Sequence, residues 1–517
     1  MLRLSPSTED AGTPCLGNSP LTLRLDPGRH APPSAEAVEV DALDLRLPCR
    51  AFAIRYKTAE AGQHALSSEF LLRLLRVAGE LGEEDVAAYF DFDADETAFA
   101  IDQAEQKGLV QRAAGRVQLT AAGSAAFVAG SGTPQLYEVH QKQGRFDFDV
   151  VSFSPARPRH VEAFGRDLGE LPIIDVAALS RASEAARESF RRNFREILIE
   201  RREQESERKG LYTIDDVRAE RRRDEIVPIG ISVSPAVPNR AVPSLTAWRS
   251  GYELETRSSV LTSVSRFVGS AEIERSATPE AAYQVLARIA PELTKPYTRT
   301  PAFDRQAFFR WAVERSGDMQ ANRRTVPMVG TIWTRANAVA LGTAARLLRR
   351  ERATGSQLAF WLRPPLPNWG SNLGVPDIAA SLMSEMEADG PHGEYDSKYA
   401  CIGLGAPSPM QSRSRHAFSD FVVLPAAAYP PDGVEILVFP NRLAVTLVHG
   451  ALAAGLGYPV ALGMASVDEA VVGRAQAYVS SLLGRCNPSQ VGSGVFSADA
   501  FLAELAKRVP SSGELPL

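Results

Sequence analysis

Apolar residues recur at helical spacing in three stretches between residues 65 and 130, and two short alternating stretches follow them. The first stretch carries an apolar stripe behind a serine cap. The third is opened by Asp93 or Asp95 and closed by Gly108. The two alternating stretches flank Gly115, which is typical of a hairpin turn. The pattern therefore predicts three helices followed by a two-stranded hairpin.

The second half of the chain alternates between short apolar runs and amphipathic stretches. This alternation predicts strands and helices in a mostly parallel, layered sheet. The predicted fold class is a multidomain α/β protein with short N-terminal strands and a C-terminal layered α/β sheet domain. The predicted segments are a disordered tail at 1–20, a β-rich segment at 21–64, the three helices and hairpin at 65–130, a mixed segment at 131–243 and the α/β domain at 244–517.

The mixed segment combines three predicted features. Alternation on both sides of a polar turn at 143–146 predicts a hairpin. The charge-dense stretch from Ala182 to Glu225 predicts a solvated helix or, alternatively, a partner-binding coiled coil. Residues 228–243 are interpreted as a strand and a Pro-rich connection between domains. The apolar face of the charged helix consists of Phe190, Phe194, Ile197 and Leu198.

Composition limits the classes of function. The chain has 517 residues, a net charge of −5 and four cysteines that form no C-x-x-C or Cys/His cluster. These features, with an N-terminus that lacks the apolar region of a signal peptide, predict a cytoplasmic protein without metal or cofactor. The uncharged run from Leu443 to Val467 is interrupted by glycines and a proline. We therefore expect a buried strand–turn–strand there and not a membrane segment.

The segment at 65–130 resembles the winged helix-turn-helix superfamily, because three helices lead into a wing that contains QKGLVQR and VQLTAAG. The resemblance covers about one eighth of the chain and implies DNA binding. The charge of the segment at 65–130 argues against DNA binding. The segment holds five basic and eleven acidic residues, and its third helix would repel phosphates. We predict that this module docks a protein or is structural, with groove reading as the alternative. The residues predicted to dock a partner are Asp95, Glu96, Asp102 and Glu105, and those predicted to contact a nucleic-acid backbone are Arg112 and Arg116.

Positive charge concentrates between residues 295 and 365, which contain thirteen basic and four acidic residues. Arginines interleaved with aromatic residues favour a nucleic-acid backbone with stacked bases. In the alternative interpretation, the aromatic residues are core and the arginines pair with the acidic N-terminal module. The predicted nucleic-acid contacts are Arg310, Arg323, Arg324, Arg346, Arg349 and Arg350, and the interleaved aromatics are Tyr297, Phe303, Phe308, Phe309, Trp311 and Trp333.

His140, Lys142 and Asp147 have the spacing of the motif of phospholipase D-type phosphodiesterases, which they resemble in spacing alone. In that family the histidine attacks phosphorus and the lysine binds phosphate oxygens. The residues between them suggest a turn and no second copy of the motif exists, so we favour the hairpin and keep the phosphodiesterase as an alternative. Gly403-Leu404-Gly405 lacks the following helix of a phosphate loop, and His449 is interpreted as a core histidine.

These patterns favour a non-enzymatic adaptor that holds nucleic acid weakly through its backbone and contacts a protein partner. The mixture of segments resembles an accessory component of a bacterial DNA-processing or phage-defence system. The alternatives are the phosphodiesterase, an α/β hydrolase of unrecognised type, and a transcription regulator with a ligand-sensing α/β domain.

Overall fold

The structure is a computed structural model that describes residues 37–61, 66–127, 137–201, 209–248, 257–299, 302–352, 358–387, 400–406 and 416–486, together with positions 132 and 134. The predicted disordered tail, residues 21–36 of the predicted β-rich segment and residues 487–517 of the predicted α/β domain lie outside the described residues. The described residues form a mixed α/β protein with several sheets.

The strands are β1 Val38–Ala61, β2 Leu81–Gly82, β3 Val110–Ala113, β4 Arg116–Leu119, β5 Tyr137–Asp149, β6 Lys209–Ser234, β7 Val237–Ser244, β8 Ile273–Glu274, β9 Thr298–Arg299, β10 Ala302–Phe303, β11 Thr325–Val329, β12 Leu358–Leu362, β13 Ala400–Gly405, β14 Asp420–Val423, β15 Val434–Phe439, β16 Leu443–Gly450, β17 Leu456–Gly457 and β18 Val460–Ser466.

The helices are α1 Leu66–Ala78, α2 Glu83–Phe90, α3 Ala94–Gln106, α4 Ala121–Ala125, α5 Ala163–Arg166, α6 Val176–Ser180, α7 Ala182–Arg192, α8 Phe194–Glu200, α9 Arg257–Ser270, α10 Glu280–Ile289, α11 Pro291–Thr294, α12 Arg305–Arg315, α13 Arg335–Arg350, α14 Val375–Met386 and α15 Glu469–Leu483.

A seven-stranded sheet organises the second half of the chain, in the order β11-β18-β16-β15-β12-β13-β14. Only β12–β13 and β13–β14 pair in parallel, and the other four pairings are antiparallel. The prediction of a mostly parallel sheet is therefore wrong. The short connections from β15 to β16 and from β16 to β18 account for two of these pairings, because they reverse the chain without the crossover helix that parallel strands need.

Apolar residues cover both faces of this sheet. One face packs against α13 and α14, and the other packs against α10, α12, α15 and one half of β1 and β6. The run from Leu443 to Val467 forms β16, β17 and β18, and all residues of β16 and β18 are buried, as the sequence predicts. No helix in the described part of the chain is long and apolar enough to cross a membrane.

A second, four-stranded antiparallel sheet has the order β5-β1-β6-β7. Its central strands are long: β1 has 24 residues and β6 has 26. One end, with Leu43, Leu45 and Leu47, joins the core of the seven-stranded sheet. The other end packs Phe52 and Ile54 beneath α7 and α8, where the apolar helical face predicted from the sequence is buried.

The second sheet corrects three expectations about residues 131–243. β5 is one continuous strand paired with β1, so the hairpin predicted at 137–150 is wrong. Within the described residues of the charged stretch, those up to Glu200 include helices α7 and α8, and those from Lys209 belong to β6. The strand predicted from residue 228 is the end of β6, but most of the predicted Pro-rich connection is strand β7. In each case a long-range strand partner satisfies the backbone and overrides the local pattern.

Residues 66–127 are inserted between β1 and β5, whose ends meet where Ala61 pairs with Tyr137. The insertion has the order α1-β2-α2-α3-β3-β4-α4 and a hydrophobic cluster of its own around Leu72, Ile101 and Val117. As predicted, α3 is capped by Asp93, whose side chain accepts a hydrogen bond from the N–H of Glu96. We refer to residues 66–127 as the inserted module.

Candidate nucleic-acid interface

One face of α13 carries three exposed arginines, Arg346, Arg349 and Arg350. Their spacing of three and four residues places them on one side of the helix, as the sequence predicts. The opposite side is held in the core by Leu341, Leu348 and other apolar residues. Burial of the apolar side therefore fixes the direction in which the arginines project.

The segment that precedes β11 lies beside α13 and adds further positive charge. The hydroxyl of Thr343 donates to a carboxylate oxygen of Asp318 at 3.4 Å, and Nη2 of Arg346 donates to Oγ1 of Thr343 at 3.1 Å. The guanidinium of Arg323 donates to the carbonyl oxygen of the exposed Arg315. We call the set formed by Arg315, Arg323, Arg346, Arg349 and Arg350 the arginine face.

No carboxylate forms an ion pair with any of these five guanidinium groups among the residues that the structure describes. Arg324, a further predicted nucleic-acid contact, differs from this set. Arg324 donates to both carboxylate oxygens of Glu351, at 2.7 and 3.1 Å, and that carboxylate raises the pKa of the guanidinium. Arg310 is exposed on α12, where it contacts Oε1 of Gln306 at 3.5 Å.

The aromatic residues of this region fall into two groups. Phe303, Phe308 and Phe309 are core residues, and Nε1 of Trp333 donates to a carboxylate oxygen of Asp41 at 3.0 Å. Tyr297 and Trp311 are half-buried and line a cavity. Within the described ranges, no ion pair links an arginine of 302–352 to the inserted module.

The charged residues of the inserted module largely engage one another. Arg112 forms ion pairs with Asp102 at 2.5 Å, Glu83 at 3.4 Å and Glu105 at 3.9 Å. Arg116 pairs with Glu80 at 3.1 Å. The two predicted phosphate contacts and two of the four predicted docking acids therefore already have partners within the module.

Asp95 and Glu96 lie exposed in the first turn of α3. One carboxylate oxygen of Glu96 accepts a hydrogen bond from the N–H of Asp93, so that carboxylate also completes the capping box. Phe99 follows on the same exposed side of the helix and is 64% exposed. The outer side of α3 thus combines acidic groups with one large apolar side chain.

The phosphodiesterase-like residues do not come together on β5. Because side chains alternate along a strand, His140 and Lys142 project from one face of the sheet and Asp147 from the other. His140 and Asp147 are also roughly 23 Å apart along the strand, at about 3.3 Å per residue. Asp147 contacts Arg223 instead, with its carboxylate oxygen 3.4 Å from Nη1. Burial raises the pKa of Asp147, and the neighbouring arginines oppose that rise.

Sequence reasoning missed a set of buried polar contacts on the central strands of the seven-stranded sheet, near one end of these strands. Nε2 of His449, at the end of β16, lies 2.5 Å from Oε2 of Glu435, and Nε1 of Trp361 donates to Oε1 of the same carboxylate at 2.8 Å. Beside them, the hydroxyl of Tyr458 donates to Asp41 on β1 at 2.6 Å. The prediction that His449 is a core histidine is confirmed. Its partner cannot be read from sequence spacing, because strand pairing brings the two residues together.

Strand β1 passes the same end of the sheet, next to the end of β11. The N–H of Thr331 donates to the carbonyl oxygen of Val40 at 3.0 Å. Gly330 has a φ of +86°, and a Cβ atom there would lie 2.7 Å from that carbonyl oxygen, so the approach requires glycine. Strand β1 therefore covers the carboxyl end of β11.

No protein-family model, no curated protein and no solved structure matches this chain. Among the described residues, no group of three or more His, Cys, Asp and Glu side chains is arranged to hold a metal ion.

Proposed function

We propose that this protein is a non-enzymatic, cytoplasmic adaptor that binds the phosphate backbone of nucleic acid through the arginine face. The observation that carries the proposal is the exposure of several guanidinium groups without a carboxylate partner in the described part of the chain. Each guanidinium group can bind two oxygens of one phosphate at once, and it stays charged at physiological pH. Each phosphate that they neutralise releases counterions, which favours binding at low salt.

The inserted module supports the adaptor part of the proposal. We propose that it is a winged helix-turn-helix module that contacts a protein and does not read a DNA groove. The arginines of its wing are neutralised by its own acids, and its third helix exposes Asp95, Glu96 and Phe99. Such a surface repels phosphates, whereas a basic protein surface with an apolar recess would complement it. We propose that this protein and its partner belong to a bacterial DNA-processing or phage-defence complex.

The arginine face is tested by equilibrium binding of full-length protein to a labelled oligonucleotide at low salt. Arg346→Glu, Arg349→Glu and Arg350→Glu are combined in one variant. A matched control carries Arg192→Glu, Arg195→Glu and Arg266→Glu, which are exposed arginines on α7, α8 and α9. We expect the first variant to lose binding by at least about 100-fold and the control to change by less than about threefold. Equal losses in both variants would show that net charge alone, and not the arginine face, sets the affinity.

A further inference from the structure

A cavity of about 420 Å³ opens beside the arginine face, between α11, α12 and the start of α15. Its lining includes Tyr297, Trp311, Leu293, Pro296 and Thr325. Tyr297 and Trp311 are the two aromatic residues of the Arg-rich region that are neither in the core nor hydrogen-bonded to Asp41. Both partly buried rings pack against the core on one side and line the cavity on another.

The rings of Tyr297 and Trp311 are supported by a residue of the core. Their centroids are 5.5 Å apart at an interplanar angle of 42°. The fully buried ring of Phe308 packs against both of them, 5.3 Å from Tyr297 and 5.5 Å from Trp311. Burial raises the pKa of the Tyr297 hydroxyl, and Glu314 adds to that rise. The phenol is therefore neutral at physiological pH, and both rings present uncharged π surfaces.

Arginines border the cavity on the side of the arginine face. Arg315 follows Trp311 by four residues, which places both on one side of α12, and it acts electrostatically on the Tyr297 hydroxyl. Arg324 directly precedes Thr325 in the cavity wall, and its ion pair with Glu351 links this wall to the end of α13. A nucleic-acid strand bound along the arginine face would therefore pass the opening of the cavity.

The two carboxylates in the cavity wall already have partners. Glu292 accepts hydrogen bonds from Nη2 of Arg474 at 3.2 and 3.0 Å. Asp468 caps α15 and accepts from the N–H groups of Ala470 and Val471, both at 3.1 Å. Because Arg324 and Arg474 are paired with Glu351 and Glu292, the charges around the rings largely cancel. A neutral, flat, aromatic group fits these surroundings.

We propose that this cavity receives one unstacked nucleobase, which packs against Trp311 and Tyr297 while the flanking phosphates lie on Arg315 and the rest of the arginine face. The inference rests on the proposed nucleic-acid binding and adds its substrate class, a single strand. A paired base cannot leave its stack without an energetic cost, whereas a single strand offers bases freely. Stacking tolerates any base, so we expect little sequence preference.

The test compares three ligands of the full-length protein: a short single strand of oligodeoxythymidylate, the same strand with every base replaced by an abasic site, and a duplex of equal length. We expect the thymidylate strand to bind about tenfold more tightly than the abasic strand. Trp311→Leu combined with Tyr297→Leu should bring the two affinities together and leave abasic binding unchanged. Trp311→Phe should keep most of the difference, because it keeps a ring. Tyr212→Leu, at an exposed position on β6, is the matched control.

Equal binding of the abasic and thymidylate strands by the unmodified protein would overturn this inference and leave the proposed backbone binding intact. Absence of binding to all three ligands would overturn both. Thermal stabilisation by tetramethylammonium that Trp311→Leu abolishes, without discrimination between the strands, would overturn the inference by assigning the cavity to a cation. Each leucine variant is first checked by thermal unfolding, and Trp311→Leu alone carries the test if the double variant does not fold.

Discussion

Arg324 and Glu351 form a bidentate ion pair that joins the wall of the aromatic cavity to the C-terminal end of α13. Arg324 also donates to the carbonyl oxygen of Val467 at 2.9 Å. Both charged side chains are 34% exposed, so water and salt screen the pair and its net contribution to stability is at most about 1 kcal/mol. Its larger effect is on the electrostatics of the arginine face, where Glu351 cancels one positive charge.

Removing that negative charge should strengthen nucleic-acid binding. Glu351→Gln frees Arg324 for a phosphate and removes a repelling carboxylate, so we expect roughly three- to tenfold tighter binding at low salt. The gain should shrink as salt is raised. Glu196→Gln on the exposed side of α8 makes the same change in net charge far along the chain and serves as the control. Equal gains in both variants would argue against a local role for Glu351.

Asp44 on β1 should make stability depend on pH. Burial raises its pKa to about 6, although the N–H of Leu373 donates to its carboxylate at 2.7 Å. Because the pKa of Asp44 is higher in the folded than in the unfolded protein, the protonated carboxyl stabilises the folded state. This contribution is complete below about pH 4 and is lost as pH rises through about 6. Asp44→Asn removes this loss.

Urea unfolding of both proteins measures the effect. We expect the unfolding free energy of Asp44→Asn, relative to that of the unmodified protein, to increase by about 2 kcal/mol between pH 4 and pH 7.5. A difference that stays constant over this range would show that folding does not raise the pKa of Asp44.

The wing arginines of the inserted module should be dispensable for nucleic-acid binding. Arg112 is surrounded by Asp102, Glu83 and Glu105, so its charge is already neutralised. We expect Arg112→Gln combined with Arg116→Gln to change the affinity for duplex DNA by less than about twofold. A tenfold loss, measured by fluorescence anisotropy, would restore the groove-reading interpretation of the module.

His140 should have no catalytic role, because it projects from the opposite sheet face to Asp147. We expect His140→Ala to leave any turnover of a phosphodiester substrate unchanged, with Lys142→Ala as its companion. Turnover that disappears in both variants while thermal unfolding stays normal would show that β5 carries a phosphodiesterase site after all.

Local patterns predicted the elements whose partners lie nearby in the sequence. The helices of the inserted module, its hairpin around Gly115 and the arginine side of α13 all follow from spacing of three, four or two residues. Burial of Phe190 and Phe194 was predictable for the same reason.

Long-range pairing was not predictable in this way. The stretch after Lys209 alternates in charge like a solvated helix, yet it pairs with β1 over most of its length, from Glu60↔Lys209 to Val38↔Val233. Gly144 resembles a turn residue but sits opposite Ile54 inside a straight strand. The alternation of Val227, Ile229, Ile231 and Val233 was the available signal that β6 runs on to Ser234, and all four are buried. The cavity at Tyr297 and Trp311 had no comparable signal, since Phe308 and Phe309 in the same helix are core.

The most direct test of the account is the salt dependence of binding to a single-stranded oligonucleotide, measured for the full-length protein and for the combined Arg346→Glu, Arg349→Glu and Arg350→Glu variant. Each phosphate contact contributes about 0.7 to the slope of log affinity against log salt concentration for a single strand. We predict that the variant has a slope shallower by about 2, with the Arg192, Arg195 and Arg266 control unchanged. The same slope in the variant and the unmodified protein would contradict the assignment of the arginine face as the nucleic-acid contact.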